Sequence, residues 1–252
     1  MGPLQEIFTE YYESIDAKSK ELAHSASENQ KISANAIKFI NEIYQSVKTE
    51  NKSDGDHFDS AYHLTITPFV EFFIARIFYH YSEYNDLKWY IKLRRQEKKT
   101  VPDIRIYQKV NAKERTIALI EIKTRVSWMQ ACFSEYRSKK DEKYRQEKGS
   151  DVNSIKKFQE QIQKYLDTYH ITEEQFFVFI PTLSGAYKPT IEADIEKYKM
   201  WFYRMMNLKE ENLILLSNNP RLNLDKDNIG DLQATQNLEL LLKSLAINSK
   251  KR

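Results

Sequence analysis

Apolar positions recur at helical spacing over residues 4 to 23, through Leu4, Ile7, Phe8, Tyr11, Ile15 and Leu22. They do so again over residues 31 to 48, through Ile32, Ala36, Ile40, Ile43 and Val47. Residues three and four apart share a helical face, so two amphipathic helices are expected at the start of the chain. The polar run ENKSDGDHFD, Glu50 to Asp59, carries turn residues and reads as a loop. Thr67 followed by Pro68 reads as a helix start, a cap and then a first-turn proline. The sequence after it, FVEFFIARIFYHY, is apolar nearly all round and predicts a buried helix.

The pattern then shortens to strands. LKWYIKL (Leu87 to Leu93), DIRIY (Asp103 to Tyr107) and TIALIEIK (Thr116 to Lys123) read as three successive strands that begin a sheet. A charged helical pattern follows from Trp128 to about Lys148, and another amphipathic helix carries Ile155, Phe158, Ile162, Tyr165 and Leu166. QFFVFI (Gln175 to Ile180) predicts a buried strand. A helix over Ile191 to Met206, a strand LILL (Leu213 to Leu216) and a leucine-rich helix over Leu232 to Leu245 complete the order. The fold class is therefore α/β, in the mixed α+β sense: a central mixed β-sheet flanked by helices, with helical additions at the N-terminus. Residues 1–55 form the N-terminal helical segment, and residues 56–252 the core with its C-terminal helical extension.

Composition narrows the class without naming a function. With 252 residues, 41% hydrophobic and 13% aromatic, the chain has enough apolar surface to offset its ordering entropy. No apolar run approaches the roughly 18 residues needed to cross a bilayer, and no secretory pattern opens the sequence, so a cytoplasmic protein is expected. Cys132 is the single cysteine, which rules out an internal disulfide, and no Cys/His spacing suggests zinc. A net charge of +3, from 39 basic and 36 acidic residues, does not by itself imply a nucleic-acid partner.

Charge placement says more. Along Thr116 to Lys123, alternation puts Ile117, Leu119, Glu121 and Lys123 on one face and Ala118, Ile120 and Ile122 on the other. Such a strand belongs inside a sheet covered on both sides, where an unpaired charge costs several kcal/mol (about 2–7 even for a neutral polar group). Asp103, at the start of the neighbouring strand, would lie about 4.8 Å away across the ladder. Two carboxylates there would repel, and a divalent cation resolves the conflict. Hard oxygen ligands suit magnesium, which takes one or two protein carboxylates and keeps several waters. The alternative is a surface hairpin whose charges pair in solvent, which contributes little.

The residues PD at Pro102 and Asp103 and EIK at Glu121 to Lys123 resemble the motif of the PD-(D/E)XK nuclease superfamily, the fold of many type II restriction endonucleases. The resemblance implies a restriction-endonuclease-like core and a magnesium-dependent phosphodiesterase, with manganese a possible substitute and no small-molecule cofactor. It implies that Asp103 and Glu121 hold the metal, that the backbone carbonyl of Ile122 can ligate it, and that Lys123 orients or activates the attacking water. Family members often add a glutamate from a helix before the sheet, and Glu71 occupies that place. Its bland reading is a carboxylate favoured by the helix dipole one turn after Thr67.

The segment after the lysine would put Thr124, Arg125, Ser127 and Gln130 near the scissile phosphate, and Lys139 and Lys140 along the nucleic-acid backbone, unless that charged helix is simply solvated. Type II enzymes work as twofold dimers on short duplex sites, so double-stranded DNA and a homodimer are the implied partners, with residues 1–55 serving dimerisation or DNA contact. PTLSGAYKP (Pro181 to Pro189) and SNNPRLN (Ser217 to Asn223) are candidate base readers or ordinary turns. Gln161 and Tyr165 match the Q-x-x-x-Y element of RecB-like exonucleases, but Tyr165 also fits the apolar stripe of its helix, which is the favoured reading. His57 and His63 lie where viral cap-snatching endonucleases with a related core use a histidine ligand, which would imply RNA; a structural role is favoured for both. A nuclease-fold module without activity would typically lose an acid or the lysine, whereas this chain keeps Asp103, Glu121 and Lys123.

Overall fold

The computed structural model describes residues 3–50, 59–94, 101–123, 150–181, 203, 208–218 and 232–250. Among them a five-stranded mixed sheet runs in spatial order β1 (Tyr90–Leu93), β2 (Ile104–Val110), β3 (Lys113–Ile122), β4 (Phe176–Ile180) and β5 (Leu213–Leu215). β1, β2 and β3 pair antiparallel, while β3, β4 and β5 pair parallel. Local chemistry sets that switch. Asn111 and Ala112 both have positive φ, 51° and 64°, the two-residue turn whose twist suits an antiparallel hairpin between β2 and β3. A parallel return to β4 needs a long crossover, and α4 (Ser150–Tyr169) lies on it.

Helices cover both faces. Ala118, Ile120 and Ile122 of β3 and Phe177 and Phe179 of β4 join one buried cluster with α1 (Pro3–Ser27), α2 (Ser33–Glu50), α3 (Asp59–Tyr84) and α5 (Asn237–Lys250). The opposite alternates, Leu119, Phe176 and Val178, are also buried, and Phe158, Ile162, Tyr165 and Leu166 of α4 are buried on that side. The Tyr165 and Phe176 rings lie 6.2 Å apart. A β-bulge refines the expected alternation: Ile106 pairs Ala118 but Tyr107 pairs Thr116, so Ile117 is the extra residue and joins the cluster of Ala118.

β2 runs on to Val110 and β3 begins at Lys113, and three element starts also differ from the sequence expectation. α3 does not begin at Thr67 but at Asp59, with Pro68 inside it. An interior proline costs about 3 kcal/mol, yet Val70, Phe73, Ile74, Ile77 and Phe78 are all buried, each worth about 1.5–3 kcal/mol, so packing outweighs the break. β1 starts at Tyr90 instead of Leu87, because Asp86 and Lys88 take positive φ, 49° and 54°, and turn the chain out of α3. The last helix starts at Asn237 instead of Leu232: Ala234 bridges Ser217, and the Thr235 amide donates to the Leu216 carbonyl at 2.8 Å, which extends the sheet first. The helices expected over 128–148 and, except for residue 203, over 191–206 lie outside the described residues. No described helix is long and apolar enough to cross a membrane.

One buried acid ties the N- and C-terminal helices together. α2 has no acidic residue in its first turn, and its preceding residue, Ile32, carries no capping oxygen. Glu239 of α5 supplies both: its Oε1 accepts from the Ile32 and Ser33 amides at 2.5 and 2.9 Å, and its Oε2 accepts from Ser33 Oγ at 2.6 Å. A carboxylate at a helix N-terminus satisfies orphan donors and complements the dipole. Glu239→Ala is expected to lower unfolding stability by about 2–3 kcal/mol, read as a shifted urea midpoint at unchanged slope.

Candidate active site

β3 ends in Glu121 and Ile122, and Lys123 follows, its amide donating to the Phe179 carbonyl of β4 at 2.9 Å. Asp103 stands immediately before β2. Both acids are buried, Asp103 3% and Glu121 2% exposed, which separates them from a solvent-paired hairpin. Asp103 Oδ2 accepts from the Ile122 amide at 2.7 Å, and Lys123 Nζ donates to Glu121 Oε1 at 2.7 Å. The Lys123 ammonium also lies 4.9 Å from the Phe158 ring of α4.

The proline of the motif has a physical consequence here. Ile104 pairs Ile120, so regular pairing would set Pro102 opposite Ile122. The Ile122 amide points towards β2, where it meets the Asp103 carboxylate, and its carbonyl points the same way. Pro102 has no N–H and cannot give that carbonyl a ladder hydrogen bond. The backbone oxygen between Glu121 and Lys123 thus receives no ladder hydrogen bond from residue 102.

Electrostatics show crowded negative charge. Burial, and then the charge of Glu121, push Asp103 up to about 6, against a lowering by the Ile122 hydrogen bond and by Lys123 and Arg94. Glu71, half-buried on α3, is pushed up to about 8 by burial and then by Asp103, with a further push from Glu121. Arg94 and Lys123 pull Glu71 the other way. Three carboxyls therefore converge electrostatically, and two cations do not fully compensate them. Among the described residues no three His, Cys, Asp or Glu side chains sit together at metal-ligand spacing. Two carboxylates and one carbonyl nevertheless fit the hard-oxygen donor set of magnesium, which fills its remaining positions with water.

Two further contributions reach the site, the Gln161 and Tyr165 pair that the Q-x-x-x-Y match flagged and Arg94, which nothing in the sequence flagged. Tyr165 is fully buried, as its apolar stripe predicts, but its one hydroxyl proton also lies within reach of the Val101 carbonyl at 3.2 Å and of Glu121 Oε2 at 3.4 Å. Gln161 donates to the Tyr165 hydroxyl and reaches Glu121 Oε1 at 3.5 Å. Burial, and then the charge of Glu121, push the Tyr165 hydroxyl up, so it stays a donor through the neutral range. Arg94 follows β1; its guanidinium lies 3.6 Å from Asp103 Oδ1 and its amide donates to the Asp103 carbonyl at 2.9 Å. Leu93 pairs Ile104, and this register sets Arg94 beside Asp103.

The remaining candidates fall elsewhere. Thr124, Arg125, Ser127, Gln130, Lys139, Lys140 and His57 lie outside the described residues, as do residues 182–189 and 219–223 of the two candidate reading loops. His63 lies within the span of α3. Compared with protein-family models, curated proteins and solved structures, the chain matches none.

Proposed function

We propose that this chain is a divalent-metal-dependent phosphodiesterase of the PD-(D/E)XK type, cutting double-stranded DNA as a homodimer in the manner of a type II restriction endonuclease. The observation that carries the reading is the pair of buried acids, Asp103 and Glu121, on adjacent strands, with the Lys123 ammonium 2.7 Å from Glu121. On this reading the mixed sheet is a restriction-endonuclease-like core, and magnesium, replaceable by manganese, would be held by Asp103, Glu121 and the Ile122 carbonyl with Glu71 beside them. The ion supplies charge neutralisation and Lewis acidity for phosphodiester hydrolysis.

The chain's own residues do the rest. Lys123 carries a proton at Nζ beside the site, orients the attacking water, and sets positive charge where the phosphate accumulates negative charge. Tyr165 and Gln161 hold the Glu121 carboxylate in one orientation. Arg94, drawn from Asp103, is available to a phosphate oxygen. By the resemblance, Thr124, Arg125, Ser127 and Gln130 are the candidates for the scissile phosphate and Lys139 and Lys140 for the nucleic-acid backbone. Tyr165→Phe is expected to lower kcat roughly tenfold at nearly unchanged KM, in steady-state cleavage of a labelled duplex.

The Gln161 and Tyr165 contacts to Glu121 favour one second reading, a RecB-like DNA exonuclease. Covalently closed and linear DNA, each with magnesium or with EDTA, separate the two. Discrete metal-dependent fragments from both forms support the endonuclease, and shortening confined to linear DNA supports the exonuclease. Cleavage of RNA alone points to an RNA endonuclease, and metal-independent DNA binding without any cleavage to a non-catalytic nuclease-fold module.

A further inference from the structure

We infer that the α4-facing side of the sheet over β1 and β2 is a platform for single-stranded DNA that leads into the Asp103–Glu121 centre. The inference rests on the phosphodiesterase part of that reading and departs from its duplex substrate, naming a path for an unpaired strand to the same centre. Tyr90 pairs Tyr107 and Lys92 pairs Arg105 across β1 and β2, while Arg105 pairs Leu119 and Tyr107 pairs Thr116 across β2 and β3. Paired residues share a face, so these four side chains stand on the side of the sheet that carries Leu119 and Glu121. Lys109 follows by alternation. Arg94, one residue past the Leu93–Ile104 pair, reaches Asp103 itself at 3.6 Å.

The surface so formed alternates rings and cations. Tyr90, 44% exposed, stacks on Tyr107 with centroids 5.3 Å apart and planes 25° apart. Lys109 Nζ lies 4.8 Å from the Tyr90 ring, and Lys92 Nζ and the Arg105 guanidinium lie 4.7 and 4.9 Å from the Tyr107 ring. Cross-strand pairing accounts for one tyrosine on another, but not for three cations gathered at their rings. Glu114 pairs with Lys92 at 3.0 Å and with Arg105 at 2.8 Å and Arg94 with Asp103 at 3.6 Å, so four cations on the strip, Lys109 included, face two carboxylates. From Asp103 to Lys109 the strand advances roughly 20 Å, at about 3.3 Å per residue.

That chemistry fits a nucleic-acid strand with its bases exposed. A cationic track engages phosphates without reading sequence, and an exposed ring offers a stacking partner to any base whose face is free. In a duplex the base faces are already stacked on one another, so an isolated exposed tyrosine suits an unpaired strand. Beside Tyr90 an open groove of about 640 Å³ runs between α3 and β1, lined by Phe72, Tyr79, Trp89 and Tyr107, with Arg76, Lys88 and one carboxylate, Glu83, at its wall. Aromatic walls with an excess of cations are what a splayed base would meet. The path ends at Arg94 and Asp103, so a strand lying on it delivers a phosphate to the acids.

The test uses the full chain in EDTA and a fluorescein-labelled oligothymidylate of about 20 nucleotides, followed by fluorescence anisotropy. Binding is expected, weakened roughly 5- to 150-fold by Tyr90→Ala and restored by Tyr90→Phe, with circular dichroism unchanged in both. Lys92→Ala and Lys109→Ala are each expected to lower the slope of log affinity against log salt by about 0.7. A folded Tyr90→Ala protein that binds like the wild type overturns the platform. Equal competition by duplex overturns the choice of single strands, and stronger competition by oligouridylate overturns the choice of DNA. Failure of the parent reading looks different: Tyr90-dependent binding with no metal-dependent cleavage removes the phosphodiesterase and leaves the platform, whereas cleavage without Tyr90-dependent binding does the reverse.

Discussion

Asp103→Asn and Glu121→Gln are each expected to lower magnesium-dependent cleavage of DNA by about a thousandfold or more, with the fold preserved. Each substitution keeps the size of the side chain and one oxygen acceptor, so the Asp103 position can still receive the Ile122 amide and the Glu121 position the Lys123 ammonium. What disappears is the negative charge that would hold the ion. Loss of a single preorganised transition-state donor already costs about a hundred- to a thousandfold, and loss of the ion removes more than one such contribution. Lys123→Ala is expected to fall as far in cleavage but to keep its affinity for the ion, because no ligand oxygen is removed. The comparison is made by gel at matched protein concentration beside circular dichroism. Wild-type rates in all three variants would dissolve the assignment.

The second large effect concerns pH. Asp103 and Glu71 bind protons more tightly in the folded chain than their ordinary values of 3.8 and 4.5 allow, at about 6 and about 8. Between the unfolded and folded values the folded state carries more protons, so stability without metal falls as pH rises from about 4 through 8. In EDTA the melting temperature is therefore expected to drop over that window, and Asp103→Asn is expected to melt above the wild type at pH 8. Magnesium is expected to reverse the sign by taking the deprotonated acids. Its affinity is expected to rise by up to about tenfold per pH unit for each proton displaced between pH 6 and 8. At a hundred times its dissociation constant the ion stabilises the fold by about 2.7 kcal/mol, a shift of roughly 5–10 °C for a chain of this size. A melting temperature that climbs with pH in EDTA, or that ignores magnesium at pH 8, contradicts this assignment.

Much of the sheet is legible in the sequence because its strands are short apolar runs between turn residues. The Thr116 to Lys123 pattern locates β3 and its buried Glu121, although the bulge that moves Ile117 cannot be read from one strand alone. The first two helices and α4 follow from their stripes. Helix starts are less legible: Thr67 and Pro68 look like a cap, yet the apolar residues after them stabilise α3 enough to carry the helix through the proline. Long-range partners are invisible in the pattern. Nothing near α2 points to Glu239, more than 200 residues away, as its cap. Tyr165 looks like a core residue and is one, but only the tertiary fold reveals that its hydroxyl meets Glu121. Arg94 needs the β1–β2 register, which depends on where the chain turns at Asp86 and Lys88.

The central claim is that Asp103 and Glu121 hold one divalent-ion site, and the most direct measurement is a manganese titration followed by electron paramagnetic resonance. The free-ion signal is expected to fall as wild-type protein binds manganese, magnesium to restore it by competition, and Asp103→Asn and Glu121→Gln each to abolish the binding. Wild-type protein that leaves the signal unchanged, or variants that bind manganese as the wild type does, would contradict the account.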